Sequence, residues 1–145
     1  MARKIGVAAV VMVMTTLVLL LWLNSDQRPS FITASTTASK VHPYDASAFQ
    51  KALDRGKTLV VHIHADWCPA CRQQTPVIDA LSRERSLSGV EFIRVNFDTE
   101  KEFLKANNVP FQSIILVFKP GEPTARIVGV TAADELSSKI KAAIG

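Results

Sequence analysis

The chain has 145 residues, 48% of them hydrophobic, with 17 Lys and Arg against 13 Asp and Glu, and two Cys. That length holds one ordinary domain, the apolar fraction excludes a disordered chain, and two Cys are too few for a disulfide-stapled scaffold. Residues 41–145 carry 13 Lys/Arg (17 less Arg3, Lys4, Arg28 and Lys40) and 12 Asp/Glu (13 less Asp26), so the basic excess sits in the first forty residues and argues against nucleic acid as a partner.

Ile5 to Leu23 contains no charged residue, and its polar side chains are Thr15 and Thr16. Nineteen residues at ~1.5 Å each reach about 28 Å, close to the ~30 Å of a bilayer's hydrocarbon core. Arg3 and Lys4 precede the run and Trp22 stands at its far end, so the positive-inside rule leaves the N-terminus in the cytoplasm. Residues 1–24 therefore read as an uncleaved transmembrane anchor, with a cleaved signal peptide as the alternative. The apolar run exceeds the ~7–15 residues usual in a signal, and Asn24 to Pro29 offers no small-x-small cleavage site. The first option is a single-pass inner-membrane protein with a periplasmic domain; the second is secretion to the periplasm. Residues 25–43, rich in Ser, Thr and Ala, read as a flexible linker.

From 44 onward helical and strand patterns alternate. Asp45 caps a predicted helix through Arg55, and Gly56 stops it. Thr58 to Ala65 is β-branched and apolar, as a central strand is. A helix opened by Cys68-Pro69 runs to about Arg85 with Val77, Ile78 and Leu81 on its core face. Val90 to Asn96 alternates as a strand, and Thr99 with Glu102 forms a capping box for a short helix to about Asn107. Ser113 to Phe118 is a buried strand, Lys119 to Pro123 a hairpin turn, and Thr124 to Val128 the returning strand. Thr131 and Asp134 cap a final helix to about Ile144. The order implies an α/β fold: a small mixed sheet of four strands with helices on both faces.

Trp67-Cys68-Pro69-Ala70-Cys71 joins the first of these strands to its helix. A Cys at a helix N-terminus faces unpaired backbone N–H groups and the positive end of the macrodipole, both of which favour the thiolate. Pro69 suits the first helical position. Cys71 lies about one turn on, on the same face, within reach of a disulfide with Cys68. Cys68 is the expected nucleophile and Cys71 the resolving thiol.

The stretch LVVHIHADWCPACRQQTPVIDAL resembles the active-site strand and helix of the thioredoxin family. The Ala-Asp-Trp approach, the Cys-x-x-Cys and Pro76, five residues after Cys71, all match. VFKPGE with the later Gly129 resembles that family's last hairpin, so the likeness spans about 44–145. It implies a thioredoxin-like fold and a thiol–disulfide oxidoreductase that needs no cofactor. Its partners would be cysteine-containing periplasmic proteins, together with a membrane electron donor or acceptor. Trp67, Pro69, Ala70 and Ser113 would then line the substrate surface. Pro69 after the first Cys resembles oxidising relatives more than the Cys-Gly-Pro-Cys type, but the direction of electron flow stays open.

Two departures stand out. Where the family has a cis-Pro facing the cysteines, six residues before Lys119, this chain has Ser113; a local gap would give the role to Pro110 instead. Where the family often has a buried acid six residues before the first Cys, this chain has His62. Period-2 alternation sets His62 and His64 on one face, and the resemblance makes it the face toward the active-site helix. His62 is a candidate proton acceptor for Cys71, or as imidazolium a stabiliser of the thiolates; the competing reading is an interior histidine with no task. Asp66 reads as a solvated loop acid, Arg72 as an exposed side chain, and His42 as an idle residue of the linker. Two rival functions remain. One is a Zn or Cu(I) module built from His62, His64, Cys68 and Cys71, and the other an adaptor of the same fold that binds partners without turnover.

Overall fold

The computed structural model describes residues 14, 39–120 and 123–145. Apart from Met14, the expected anchor over 1–24 lies outside the described residues, as does most of the linker; among the described residues no helix is long and apolar enough to cross a membrane.

The described elements are β1 (Val41–Pro43), α1 (Ala46–Asp54), β2 (Thr58–His64), α2 (Pro69–Arg83), a 3-10 turn (Arg85–Leu87), β3 (Val90–Asn96), α3 (Lys101–Ala106), β4 (Ile114–Phe118), β5 (Pro123–Val128) and α4 (Ala133–Ile144). They form a five-stranded sheet in the order β1-β3-β2-β4-β5. β1 and β2 both run parallel to β3, while β4 is antiparallel to β2 and β5 to β4. The four-strand expectation is thus corrected to five. The added strand is Val41-His42-Pro43, which pairs with Phe92, Ile93 and Arg94 at the sheet edge. Three residues are too few to show alternation, and Pro43 is tolerated there because an edge strand has one unpaired side. The linker read over 25–43 overlaps the sheet in its last three residues, and His42 lies in a strand. Ser39 Oγ also donates to Asp79 at 2.8 Å, holding the incoming chain against α2.

β2 is the centre of the sheet, and period-2 alternation divides its side chains between two cores. Leu59, Val61 and Ile63 pack on one face with Ala52 of α1 and Phe103 and Leu104 of α3. Val60 packs on the other with Ile78 and Leu81 of α2 and Leu136 and Ile140 of α4. Leu59 to Ile63 are all fully buried. Each apolar member stabilises the fold by about 1.5–3 kcal/mol, which together offsets the cost of burying His62 among them.

Two helix starts, Asp45 at α1 and Cys68-Pro69 at α2, follow the expected pattern and two do not. Asp45 accepts from Ala48 N–H at 2.7 Å and caps α1 as expected. The Thr99/Glu102 box is absent: Glu100 takes the cap position without a side-chain bond, and the Thr99 hydroxyl turns to the Glu100 carboxylate at 3.2 Å. α4 likewise starts after an extended Ala132 with no side-chain cap, and Asp134 and Glu135 instead lie in its first turn, where the helix dipole favours acids. In the hairpin turn, residues 121–122 lie outside the described residues.

Candidate active site

The end of β2 delivers the chain through Ala65-Asp66-Trp67 to Cys68, the N-cap of α2. Cys68 is extended (φ −84°, ψ 114°), and its sulfur accepts from Cys71 N–H at 3.2 Å. Both cysteines are reduced and recessed beside Ala65 and Ala70. Burial, the largest single effect, raises the Cys68 thiol. Hydrogen bonds from the Cys71 thiol, the Cys71 backbone, the Gln112 side chain and the Ala70 backbone outweigh it and hold that thiol below its ordinary value. Cys71 goes the other way and is pushed up to about 11, chiefly by burial and by donating its proton toward Cys68. The asymmetry gives each sulfur its part: Cys68 ionises the more readily of the two, and Cys71 holds its proton until it is needed.

Beneath the pair, His62 is fully buried and its Nε2 lies 3.1 Å from Gln74 Oε1. The other end of the Gln74 amide donates to Val130 O at 2.9 Å and Ser113 O at 3.4 Å, which fixes the amide's orientation. His62 must therefore carry its proton on Nε2, and its Nδ1 is buried without a partner. Burial first, then His64, push the His62 pKa down to about 3, with Arg94 contributing and the Gln74 bond opposing. A neutral ring cannot act as the thiolate-stabilising imidazolium that the sequence also allowed. His64 lies on the same face, with rings 5.3 Å apart, and its Nε2 meets Asp66 Oδ1 at 3.2 Å.

Ser113 adjoins the pair: it is buried, its N–H donates to Ile63 O at 3.0 Å, and its backbone also faces the Cys71 sulfur. It adopts a positive φ of 64°, and no cis peptide bond occurs among the described residues. Pro110 is exposed, three residues upstream. Trp67 is 57% exposed, with Nε1 donating to Asp98 Oδ2 at 2.9 Å, which holds its ring at the rim. Pro69 is exposed and Ala70 half-buried on the same rim, with exposed Phe111 nearby in chain position to Gln112. Asp66 is solvated, and exposed Arg72 donates to its carbonyl at 3.0 Å, bracing the loop before Cys68.

Of the four proposed metal ligands, His62, His64 and Cys71 offer atoms within 4.8 Å of one another, whereas Cys68 stands outside that group. Sequence reasoning missed Gln74, Gln112 and Asp98. Gln74 had a signal: Cys71, Gln74, Ile78 and Leu81 form the buried stripe of α2, so a polar side chain occupies a core position. Gln112 and Asp98 reach the site only through loop geometry.

The thioredoxin family's sequence profile matches residues 40–142, and the chain belongs to that family. It is 36% identical to a thioredoxin H-type of Fagopyrum esculentum over 92 residues, covering 63% of this chain and 77% of that one. It is 30% identical to thioredoxin-1 of Saccharomyces cerevisiae over 88 residues, covering 61% and 84%. Among solved structures, the Trxlp of Edwardsiella tarda superposes with a TM-score of 0.66 at 32% identity, covering 68% of this chain and 96% of that one. The chain is a thiol–disulfide oxidoreductase with the Cys68/Cys71 pair, and such proteins act on cysteine-containing protein substrates.

Proposed function

We propose that this oxidoreductase works outside the cytoplasm, tethered by its N-terminal apolar segment, on cysteine-containing proteins of the periplasm. The observation that carries the chemistry is the asymmetry of the two thiols. The Cys68 thiolate attacks one sulfur of a partner disulfide, forming a mixed disulfide and releasing one partner thiolate. Cys71 then gives up its proton and attacks Cys68 Sγ. The Cys68–Cys71 disulfide forms, the second partner thiolate leaves, and two electrons have passed to the partner. Run backwards, the same steps oxidise a partner dithiol. A membrane electron donor or acceptor restores the couple.

His62 Nδ1 is the lone pair that takes the Cys71 proton as the sulfur–sulfur bond forms. With a pKa of about 3 it holds that proton only in passing, and the departing partner thiolate takes it up, so the ring is neutral between turnovers. Trp67, Pro69, Ala70 and the Ser113 backbone line the surface where the partner's cysteine docks. The apolar length of 5–23 and the preceding Arg3 and Lys4 support the tether.

One experiment tests both parts. In cells, Cys71→Ser should accumulate mixed disulfides with extracytoplasmic proteins, in a membrane fraction that survives alkaline washing. Cys68→Ser should accumulate none. Capture of cytoplasmic proteins, or of as many by Cys68→Ser, refutes the proposal.

A further inference from the structure

One arrangement beneath the cysteine pair can do more than pass a proton. His62 and His64 each give Nε2–H to an oxygen, of Gln74 and of Asp66, and in each ring the remaining Nδ1 is buried with no partner. A ring nitrogen from each and the Cys71 sulfur lie within 4.8 Å of one another. Imidazoles that bind metals have this arrangement: one nitrogen donates to a carbonyl or carboxylate, which orients the ring and leaves the other lone pair for the ion. A fully buried side chain with an unsatisfied polar atom costs the fold free energy, which a bound ion would recover.

We propose that the reduced chain binds one Cu(I) between His62 Nδ1, His64 Nδ1 and Cys71 Sγ. Binding replaces the Cys71 thiol proton, which leaves to solvent, with a sulfur–copper bond. The ion keeps its oxidation state.

Charge selects the ion. One thiolate neutralises a monovalent cation, so the buried site carries no net charge. A divalent ion would leave one positive charge in a dry site that already feels Arg94, and separated buried charge is costly. Zinc also asks for four ligands, and Cys68 lies outside the group. Soft thiolate with imidazole suits Cu(I). Nitrogen ligands at about 2.0 Å and sulfur at about 2.3 Å stand about 3.5–3.8 Å apart around a trigonal ion, so no pair of donors need close by more than about 1 Å on binding. The rings are tilted by 68° to each other and not stacked, which leaves room for that turn. His64 also lines a surface cavity of about 270 Å³ with Asp66, Arg94 and Asn96, which gives the ion an entry. Because the disulfide consumes Cys71, oxidation of the pair expels the ion, and the bound ion blocks resolution.

The test titrates the full reduced chain in detergent with Cu(I), without oxygen, against a chromophoric Cu(I) chelator. One equivalent should be held by the dithiol form and none by the disulfide form. Cys68→Ser should hold it; His64→Ala should weaken it about 100-fold and Asp66→Asn about 10-fold. X-ray absorption on the unaltered chain should find two nitrogens and one sulfur around copper. Loss of the ion in Cys68→Ser, retention unchanged in His64→Ala, a sulfur-only shell, or equal retention of Zn²⁺ each overturns the proposal. Turnover of a protein disulfide, assayed without copper, reports separately on the redox function.

Discussion

Replacing Gln74 with Leu keeps helix propensity and most of the volume at a fully buried position, and removes the amide that ties α2 to β2 and to the loops at Ser113 and Val130. Ser113 O stays paired, because Gly129 N–H donates to it at 3.0 Å and the Gln74 contact is the longer one at 3.4 Å. His62 Nε2–H and Val130 O lose bonds of 3.1 and 2.9 Å. A buried polar group left unpaired costs ~1–3 kcal/mol, so the two together cost about 2–6 kcal/mol. The added apolar contact of Leu returns part of this, leaving a net loss of about 2–4 kcal/mol. For a domain near a hundred residues each kcal/mol moves the midpoint by ~4–8 °C, so Tm should fall by about 8–32 °C. Thermal unfolding of the reduced chain, followed by circular dichroism, measures it, with the exposed neighbour change Gln73→Leu as reference. If Gln74→Leu stays within about 0.5 kcal/mol of that reference, the buried amide is not the tie described here.

Three further outcomes follow from the same site. His62 titrates near 6.5 when unfolded and at about 3 when folded, so below pH 6.5 the unfolded state binds more protons. Stability is then fully present above 6.5 and lost as pH falls toward 3, with about 2 kcal/mol gone by pH 5; urea midpoints of His62→Gln should show a flatter pH dependence, and an identical slope would refute the assignment. Alkylation of the reduced chain should begin at Cys68 below the pH range of an ordinary thiol, while Cys71 reacts only as pH approaches about 11; mass spectrometry of the labelled sites checks this, and equal labelling at neutral pH contradicts it. Equilibration with glutathione fixes direction: a potential near about −270 mV makes the chain a reductant, and one near about −120 mV an oxidant.

Most of the fold was legible because its signals are local. Gly56 ends α1 at φ +69°, Asp45 caps it, and the β-branched run at Thr58–His64 can hardly be anything but a central strand. One error falls where a neighbour distant in sequence decides the outcome. Val41-His42-Pro43 becomes a strand only because β3 offers a free edge. Tertiary context decided that element, whereas the missing Thr99 cap is local, since helix α3 starts one residue later, after Glu100.

The chemistry of Cys68 was implicit in its chain position, since any helix beginning there points free N–H groups at the sulfur. Alternation likewise set His62 and His64 on one side of β2. Neither pattern says what lies across from them. That His62 is neutral, that Gln74 orients it, and that Cys71 holds its proton are consequences of burial and of partners brought together by packing. Spacing along the chain places a side chain on a face; the charge it carries there depends on how much water the opposite layer removes, and that is a property of the assembled fold.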